Sequence, residues 1–227
     1  MIRRLFLFGG NPSQYEAQAE FVTAAGGSAA DVALLLVRRP GWEAYLPRYL
    51  DPWMLSGVRA YHVVIPDEDG LLDESKLDAC LRHATGIFIG GGHTATYQSY
   101  YAQGQVAELI RERYREGVPV GGSSAGALLF PEICRMSPWD TDSGTAQSRP
   151  GLGLLAGCLI SVHFVSRQDE QNIVEAMIET RIPSAWGIDD SACAVFRDEV
   201  FSHAIGAGVY HLQFNGTFDR HTCSLMG

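Results

Sequence analysis

The stretch Val118-Pro119-Val120-Gly121-Gly122-Ser123-Ser124-Ala125-Gly126-Ala127 decides how this chain is read. Its first four residues predict a strand over Val118–Gly121, and Gly122-Ser123-Ser124-Ala125-Gly126 is a G-x-S-x-G run. A strand feeding straight into that pattern makes a nucleophile elbow, where small neighbours let the chain turn sharply and expose a serine hydroxyl above the sheet. Ser124 fits the spacing; Ser123 does not, because Ala125 rather than glycine lies two residues beyond it. A competing reading is a small-residue turn with Ser124 as the N-cap of the next helix. The strand before the run and the small-residue helix start after it favour the elbow.

Working outward, short apolar runs alternate with helical patterns. Leu5–Phe8 predicts a strand ending at Gly9-Gly10, and Gln14–Ala25 a helix. Val32–Val37 is a continuous apolar run, the pattern of a strand buried on both faces. Val58–Ile65 reads as a strand, Glu74–His83 as a helix, Gly86–Ile89 as a strand ending in Gly90-Gly91-Gly92, and Gln105–Glu116 as an amphipathic helix. This alternation predicts an α/β fold with a mostly parallel central sheet and helices on both faces. Ligands bind such sheets at the carboxyl ends of the strands, where the Gly-rich turns fall.

After the elbow, residues 131–153 carry Pro131, Pro138, Pro150 and a Ser/Thr/Asp/Gly cluster, which predicts a long excursion loop of functional kind. Beyond it the pattern predicts a strand (Leu159–Phe164), a helix (Gln168–Thr180), a strand-like run (Ala185–Ile188) and short strands from Ala192 to Phe214 as an antiparallel extension. Trp42, Tyr45, Tyr49 and Trp53 form an aromatic stretch that Pro47 and Pro52 interrupt; it reads as core or subunit interface rather than a binding stripe.

Composition narrows the function classes. The chain has 227 residues, 46% hydrophobic and 19% charged, which suits one domain over residues 1–227. A net charge of −9 argues against a nucleic-acid partner, since that binding needs a basic face. No run approaches the ~18 apolar residues of a membrane helix, and the apolar start is too short for a signal peptide. The five cysteines (Cys80, Cys134, Cys158, Cys193, Cys223) are odd in number and scattered, which predicts a reduced, cytoplasmic chain without a cysteine-based metal.

A serine nucleophile needs a base within hydrogen-bond reach. Among seven histidines His163 stands out, because it ends a predicted strand on the sheet edge that carries the elbow, with Ser166 as a plausible N-cap of the following helix. His83 ends a helix, and His203, His211 and His221 lie in the antiparallel tail. The third partner, which orients the imidazole, is left open between Asp189-Asp190 and the loop residues Asp140 and Asp142. The N–H of Ala125 is one oxyanion donor, and the loop Gly90-Gly91-Gly92-His93-Thr94 supplies another from Gly91 or Gly92. A phosphate loop is disfavoured because G-x-x-x-x-G-K-[ST] is missing. Arg167, at a predicted helix start, is a candidate grip for a substrate carboxylate, against a surface pair with Glu170 or Glu43. Nothing in the set calls for a cofactor or metal.

Together Gly-Gly-Gly-His-Thr (90–94), Gly-Gly-Ser-Ser-Ala-Gly-Ala (121–127), His-Phe (163–164) with Arg167, and Gly-Ile-Asp-Asp (187–190) resemble the serine peptidase family of aspartyl dipeptidase (peptidase E) and cyanophycinase. The resemblance implies a class I glutamine-amidotransferase-like fold, with Ser124 as nucleophile, His163 as base and Gly91, Gly92 and Ala125 around the oxyanion. It further implies Asp190 as the acid, with Asp140 or Asp142 as alternatives, and Arg167, His93 and Thr94 toward a small peptide substrate. It also implies a homodimer. Cyanophycinases of this kind read Asp-Gln-His-Phe-x-x-Arg-x-Arg, whereas this chain has Ser161-Val162 before His163 and Asp169 in place of the second arginine, which argues against an arginyl polymer as substrate. A glutaminase is disfavoured because those domains carry cysteine at the elbow. A non-catalytic binding module is the other class, and the intact Ser, His, Asp and glycine set counts against it.

Overall fold

Alternation in Leu5-Phe6-Leu7-Phe8 sends the leucines to one face of a sheet and the phenylalanines to the other. All four side chains are fully buried, so the strand needs cover on both faces. The computed structural model, which describes residues 1–215 and 217–223, places it at the centre. The elements begin with β1 (Arg4–Phe8), α1 (Tyr15–Ala24), β2 (Asp31–Leu35), α2 (Trp42–Tyr45), α3 (Pro47–Leu55), β3 (Ala60–Val64) and α4 (Glu74–His83). Next come β4 (Gly86–Ile89), α5 (Thr94–Tyr101), α6 (Gly104–Arg115), β5 (Val120–Ser123), α7 (Ala125–Leu128), β6 (Ile133–Met136) and β7 (Gln147–Pro150). The chain continues with β8 (Leu159–Val162), α8 (Glu170–Thr180), β9 (Ser184–Ile188), β10 (Cys193–Arg197), β11 (Val200–Ile205), β12 (Val209–Phe214) and β13 (Phe218–Cys223).

The main sheet has the order β11-β10-β1-β5-β4-β2-β3. Its five strands from β1 to β3 run parallel, and β10 and β11 add antiparallel partners beyond β1. This is the mostly parallel α/β sheet that the pattern predicts. On one face Phe6, Phe21, Phe88 and Trp53 interlock, with Phe6–Phe21 centroids 5.6 Å apart and Trp53–Phe88 5.5 Å apart. Burying each such ring contributes roughly 2–3 kcal/mol. Gly121 is required there, since a Cβ on it would stand 2.5 Å from the Phe88 ring. The other face packs Leu5, Leu7, Ile87, Ile89 and Val120 with Leu81, Ile110 and Leu128.

Several expected boundaries change. β5 starts at Val120 rather than Val118 and runs to Ser123, because Pro119 has no N–H for the ladder and only its carbonyl joins, accepting from Ile87. Pro52 does not interrupt the aromatic stretch: it lies inside α3, tolerated because Tyr49 and Trp53, one turn apart, are both buried. Residues 131–153 are not one loop. β6 and β7 pair antiparallel from Ile133↔Pro150 to Met136↔Gln147, and the turn-forming residues occupy only the tip. The C-terminal strands divide, with β12 and β13 joining β9 and β8 in a second sheet of order β13-β12-β9-β8. β8 therefore lies in the second sheet and not in the sheet that carries the elbow, contrary to the shared edge expected for His163. No helix among the described residues is long and apolar enough to cross a membrane.

Candidate active site

Two backbone hydrogen bonds hang the site from the carboxyl end of β1. The Ser124 N–H donates to Phe8 O (2.9 Å) and the His163 N–H to Gly9 O (3.2 Å). This is how a histidine from the second sheet reaches a serine on the first. Both residues sit at φ 52°, a left-handed region costly for non-glycine residues and common where function fixes the backbone. The turn at Ser124 is tight: a Cβ on Gly122 would lie 2.7 Å from the Gly126 carbonyl carbon, and one on Gly126 would run into Ile89 O. Ser124 makes no capping bond to α7, so its hydroxyl is free to meet His163, with Oγ 2.8 Å from Nε2.

The other imidazole nitrogen, Nδ1, bonds Asp190 Oδ1. Asp190 is acceptor-only when ionised, so Nδ1 carries the proton and Nε2 is left to accept from Ser124. Ser166 does not cap a helix; its Oγ donates to Asp190 Oδ2 (2.6 Å). The helix expected from Gln168 begins at Glu170, because Gln168 itself has φ 53°. Partial burial opposes ionisation of Asp190, but bonds from Ser166 and His163 and the charge of Arg167 outweigh it and hold the carboxyl below the usual aspartate range. Asp140 and Asp142 are engaged elsewhere. Asp140, 5% exposed, accepts from Ser137 N–H (3.2 Å) and Oγ (2.9 Å), and pairs with Arg167 Nη1 at 3.0 Å. Asp142 lies 3.4 Å from His93 Nε2.

Arg167 thus pairs with neither Glu170 nor Glu43, and it precedes α8 by three residues rather than opening it. With Trp139, Ser166 and Gln168 it lines an open cleft of about 520 Å³. Trp139 is 73% exposed there. A larger hollow of about 930 Å³, between α4 and α6, shares no residue with this cluster. Of the glycine-loop donors, the Gly91 N–H is already taken by Tyr49 Oη (3.0 Å), whereas the N–H groups of Gly92 and Ala125 meet no acceptor among the described residues. Gly91 itself packs on the elbow, where a Cβ would stand 3.2 Å from Ser124 Cβ. Thr94 is fully buried with its hydroxyl unpartnered among the described residues, and His93 Nδ1 bonds Thr96 Oγ1 (2.8 Å).

Sequence reading passes over Gly9 and Gly10 as strand punctuation. A Cβ on Gly9 would strike Asp189 O, and one on Gly10 would overlap Asp190 Oδ1 and stand 2.6 Å from His163 Cε1. A glycine pair at the carboxyl end of the central strand is the signal that marks them. Gly187 is explained in the same way: a Cβ there would press 2.5 Å from Phe164, so the His-Phe and Gly-Ile-Asp-Asp segments are matched by packing.

The sequence profile of peptidase family S51 matches residues 70–203, which hold the glycine loop, the elbow, His163 and Gly187–Asp190. The chain belongs to peptidase family S51. This S51 chain is 25% identical over 193 residues to a cyanophycinase of Synechococcus elongatus, covering 83% of the chain and 60% of that protein. It is 30% identical over 132 residues to the uncharacterized peptidase YgaJ of Bacillus subtilis (strain 168), covering 56% of the chain and 55% of that protein. The chain therefore spans less than two thirds of the length of these curated relatives. The crystal structure of a peptidase from an acI-B1 Actinobacterium superposes with a TM-score of 0.75 at 16% identity, covering all of this chain and 96% of that one; it shares the fold.

Two positions where this S51 chain departs from the cyanophycinase-like pattern are partners. Ser161 Oγ donates to Asp169 Oδ2 at 2.5 Å, and Asn172 Nδ2 donates to Asp169 as well, at 3.1 Å. Asp169 is only 7% exposed, and burial pushes its pKa above 3.8 although those hydrogen bonds pull the other way. Between 3.8 and the raised value the native state holds more protons than the unfolded chain, so this group makes stability fall as pH rises through that window. Asp169→Asn is expected to remove that fall, raising the urea midpoint at neutral pH relative to the parent while leaving the acid end alike. An unchanged midpoint across the range defeats the assignment.

Proposed function

We propose that the protein is a serine peptidase that hydrolyses short peptides, with Ser124 as nucleophile, His163 as base and Asp190 as the acid that orients it. The carrying observation is the continuous line of bonds from Ser124 Oγ through His163 to Asp190. Ser124 Oγ attacks the scissile carbonyl while its proton passes to His163 Nε2, and Asp190 stabilises the imidazolium that forms. The N–H groups of Ala125 and Gly92 face the oxyanion. The protonated imidazole then gives its proton to the departing amine, leaving an acyl-enzyme on Ser124. Water, activated by the same nitrogen, releases the acid and restores the hydroxyl.

An acidic residue before the scissile bond is the preferred substrate feature. Arg167 lines the cleft, and its one side-chain bond among the described residues runs from Nη1 to the buried Asp140, which fixes the guanidinium and leaves Nε and Nη2 for a carboxylate. A cyanophycinase-like or isoaspartyl activity is the second reading. The relatives' names favour it, and the burial of Asp169 against Ser161 keeps that departure out of the cleft.

The test is amino-acid release from Asp-Xaa, Glu-Xaa, isoaspartyl and neutral dipeptides. Arg167→Ala is expected to raise KM for acidic substrates at least about tenfold, the loss of one charge-assisted contact. Neutral dipeptides should be spared. Equal losses on both classes remove Arg167 from specificity, and preference for isoaspartyl substrates moves the assignment to the second reading. Turnover of no member of the panel favours the non-catalytic module.

A further inference from the structure

The two peptide units that meet at Gly91 are each held by a buried tyrosine. Tyr49, from α3, accepts the Gly91 N–H at 3.0 Å, and Tyr97, from α5, donates to Gly91 O at 3.2 Å. Each tyrosine is 1% exposed. Burial is the main force raising the pKa of both phenols, so each stays protonated and the Tyr97 hydroxyl keeps its donor. The two hydroxyls reach the loop only because residue 90 is glycine, since a Cβ there would stand 2.9 Å from Tyr97 Oη and 3.1 Å from Tyr49 Oη. The rings are themselves fixed, Tyr49 against Phe88 at 5.7 Å and Tyr97 against Tyr101 at 6.0 Å.

We propose that Tyr49 and Tyr97 are positioning residues that clamp the two peptide planes meeting at Gly91: Tyr49 withdraws the Gly91 N–H from the cleft, and Tyr97 fixes the plane that carries the Gly92 N–H, the loop's oxyanion donor opposite Ala125. The inference rests on the peptidase reading for its kinetic consequence, but the clamp itself does not. The Gly91 carbonyl and the Gly92 N–H share one peptide plane, which cannot rotate without breaking the buried Tyr97 hydrogen bond, so the Gly92 N–H is aimed before substrate arrives. Such preorganisation lowers the barrier only where charge develops on the carbonyl oxygen, in the transition state and not in the bound substrate.

Tyr49→Phe and Tyr97→Phe each remove one hydroxyl while keeping the ring. Either is expected to lower kcat about tenfold or more with KM within about twofold, and to weaken a substrate-like peptide aldehyde in step with kcat. A purely structural role moves the melting temperature without that split. Amide hydrogen exchange on 15N-labelled protein reads the clamp without any activity: Gly91 should be slow and Gly92 fast in the parent, with Gly91 accelerated in Tyr49→Phe. Parental kcat and aldehyde affinity in both variants overturn the proposal, as does a Gly91 amide exchanging as fast as Gly92. If the parent is as inactive as Ser124→Ala, the peptidase reading fails and the exchange pattern alone decides the clamp.

Discussion

Ser124→Ala is expected to lower kcat for the best dipeptide by about a million-fold, the size seen when the serine of an assembled triad is removed. In the proposed mechanism the hydroxyl is the group that forms the covalent bond, and His163 and Asp190, bonded in line behind it, act only through it, so the effect is large. The fold should survive. The backbone bond from residue 124 to Phe8 O is independent of the side chain, and alanine at φ 52° carries about the same strain as serine. Amino-acid release and thermal unfolding, measured together, check both halves. A variant that keeps more than about a hundredth of parental turnover is incompatible with a nucleophilic Ser124.

Gly10→Ala is expected to cost about a hundredfold or more in kcat with little loss of stability, because a displacement of about 1 Å at the reacting groups is worth that much. The added methyl overlaps Asp190 Oδ1 and lies 2.6 Å from His163 Cε1 and 2.8 Å from Nδ1. Those are side-chain atoms and can yield, so the chain accommodates the methyl by swinging the imidazole away from Ser124. Gly126 is the useful contrast. A Cβ there meets the backbone carbonyls of Ile89 and Gly90, which cannot yield without moving the elbow. Steady-state kinetics beside a urea titration separate the two kinds of damage. Parental kcat in Gly10→Ala would show that the His163–Asp190 pair has room to spare.

Much of the site was legible because its parts are local. A nucleophile elbow is a strand, a sharp turn and a helix start within ten residues, and its small residues are dictated by clashes a few positions away, as at Gly122 against Gly126. His163 was singled out at a strand end, but on the premise of a sheet edge shared with the elbow, which the structure overturns. Its strand belongs to the second sheet, and the hydrogen bond to Gly9 O brings it across. The hairpin over residues 133–150 escaped notice because strand pairing joins residues up to 17 positions apart, Ile133 with Pro150, while local composition there spells turn.

The sequence by itself determined the α/β layering, the parallel core and the elbow, since each follows from periodicity or from residues close in the chain. Only the tertiary structure chose among the four candidate aspartates for the imidazole, setting Asp190 on His163 while Asp189 accepts from the Val165 N–H, Asp140 turns to Arg167 and Asp142 to His93. Only the tertiary structure decided which glycine N–H stays free, because the acceptor that takes Gly91 stands 42 residues earlier on α3. The physical reason is common to both: a hydrogen bond depends on distance and direction in space, and chain spacing constrains these only within a turn or two.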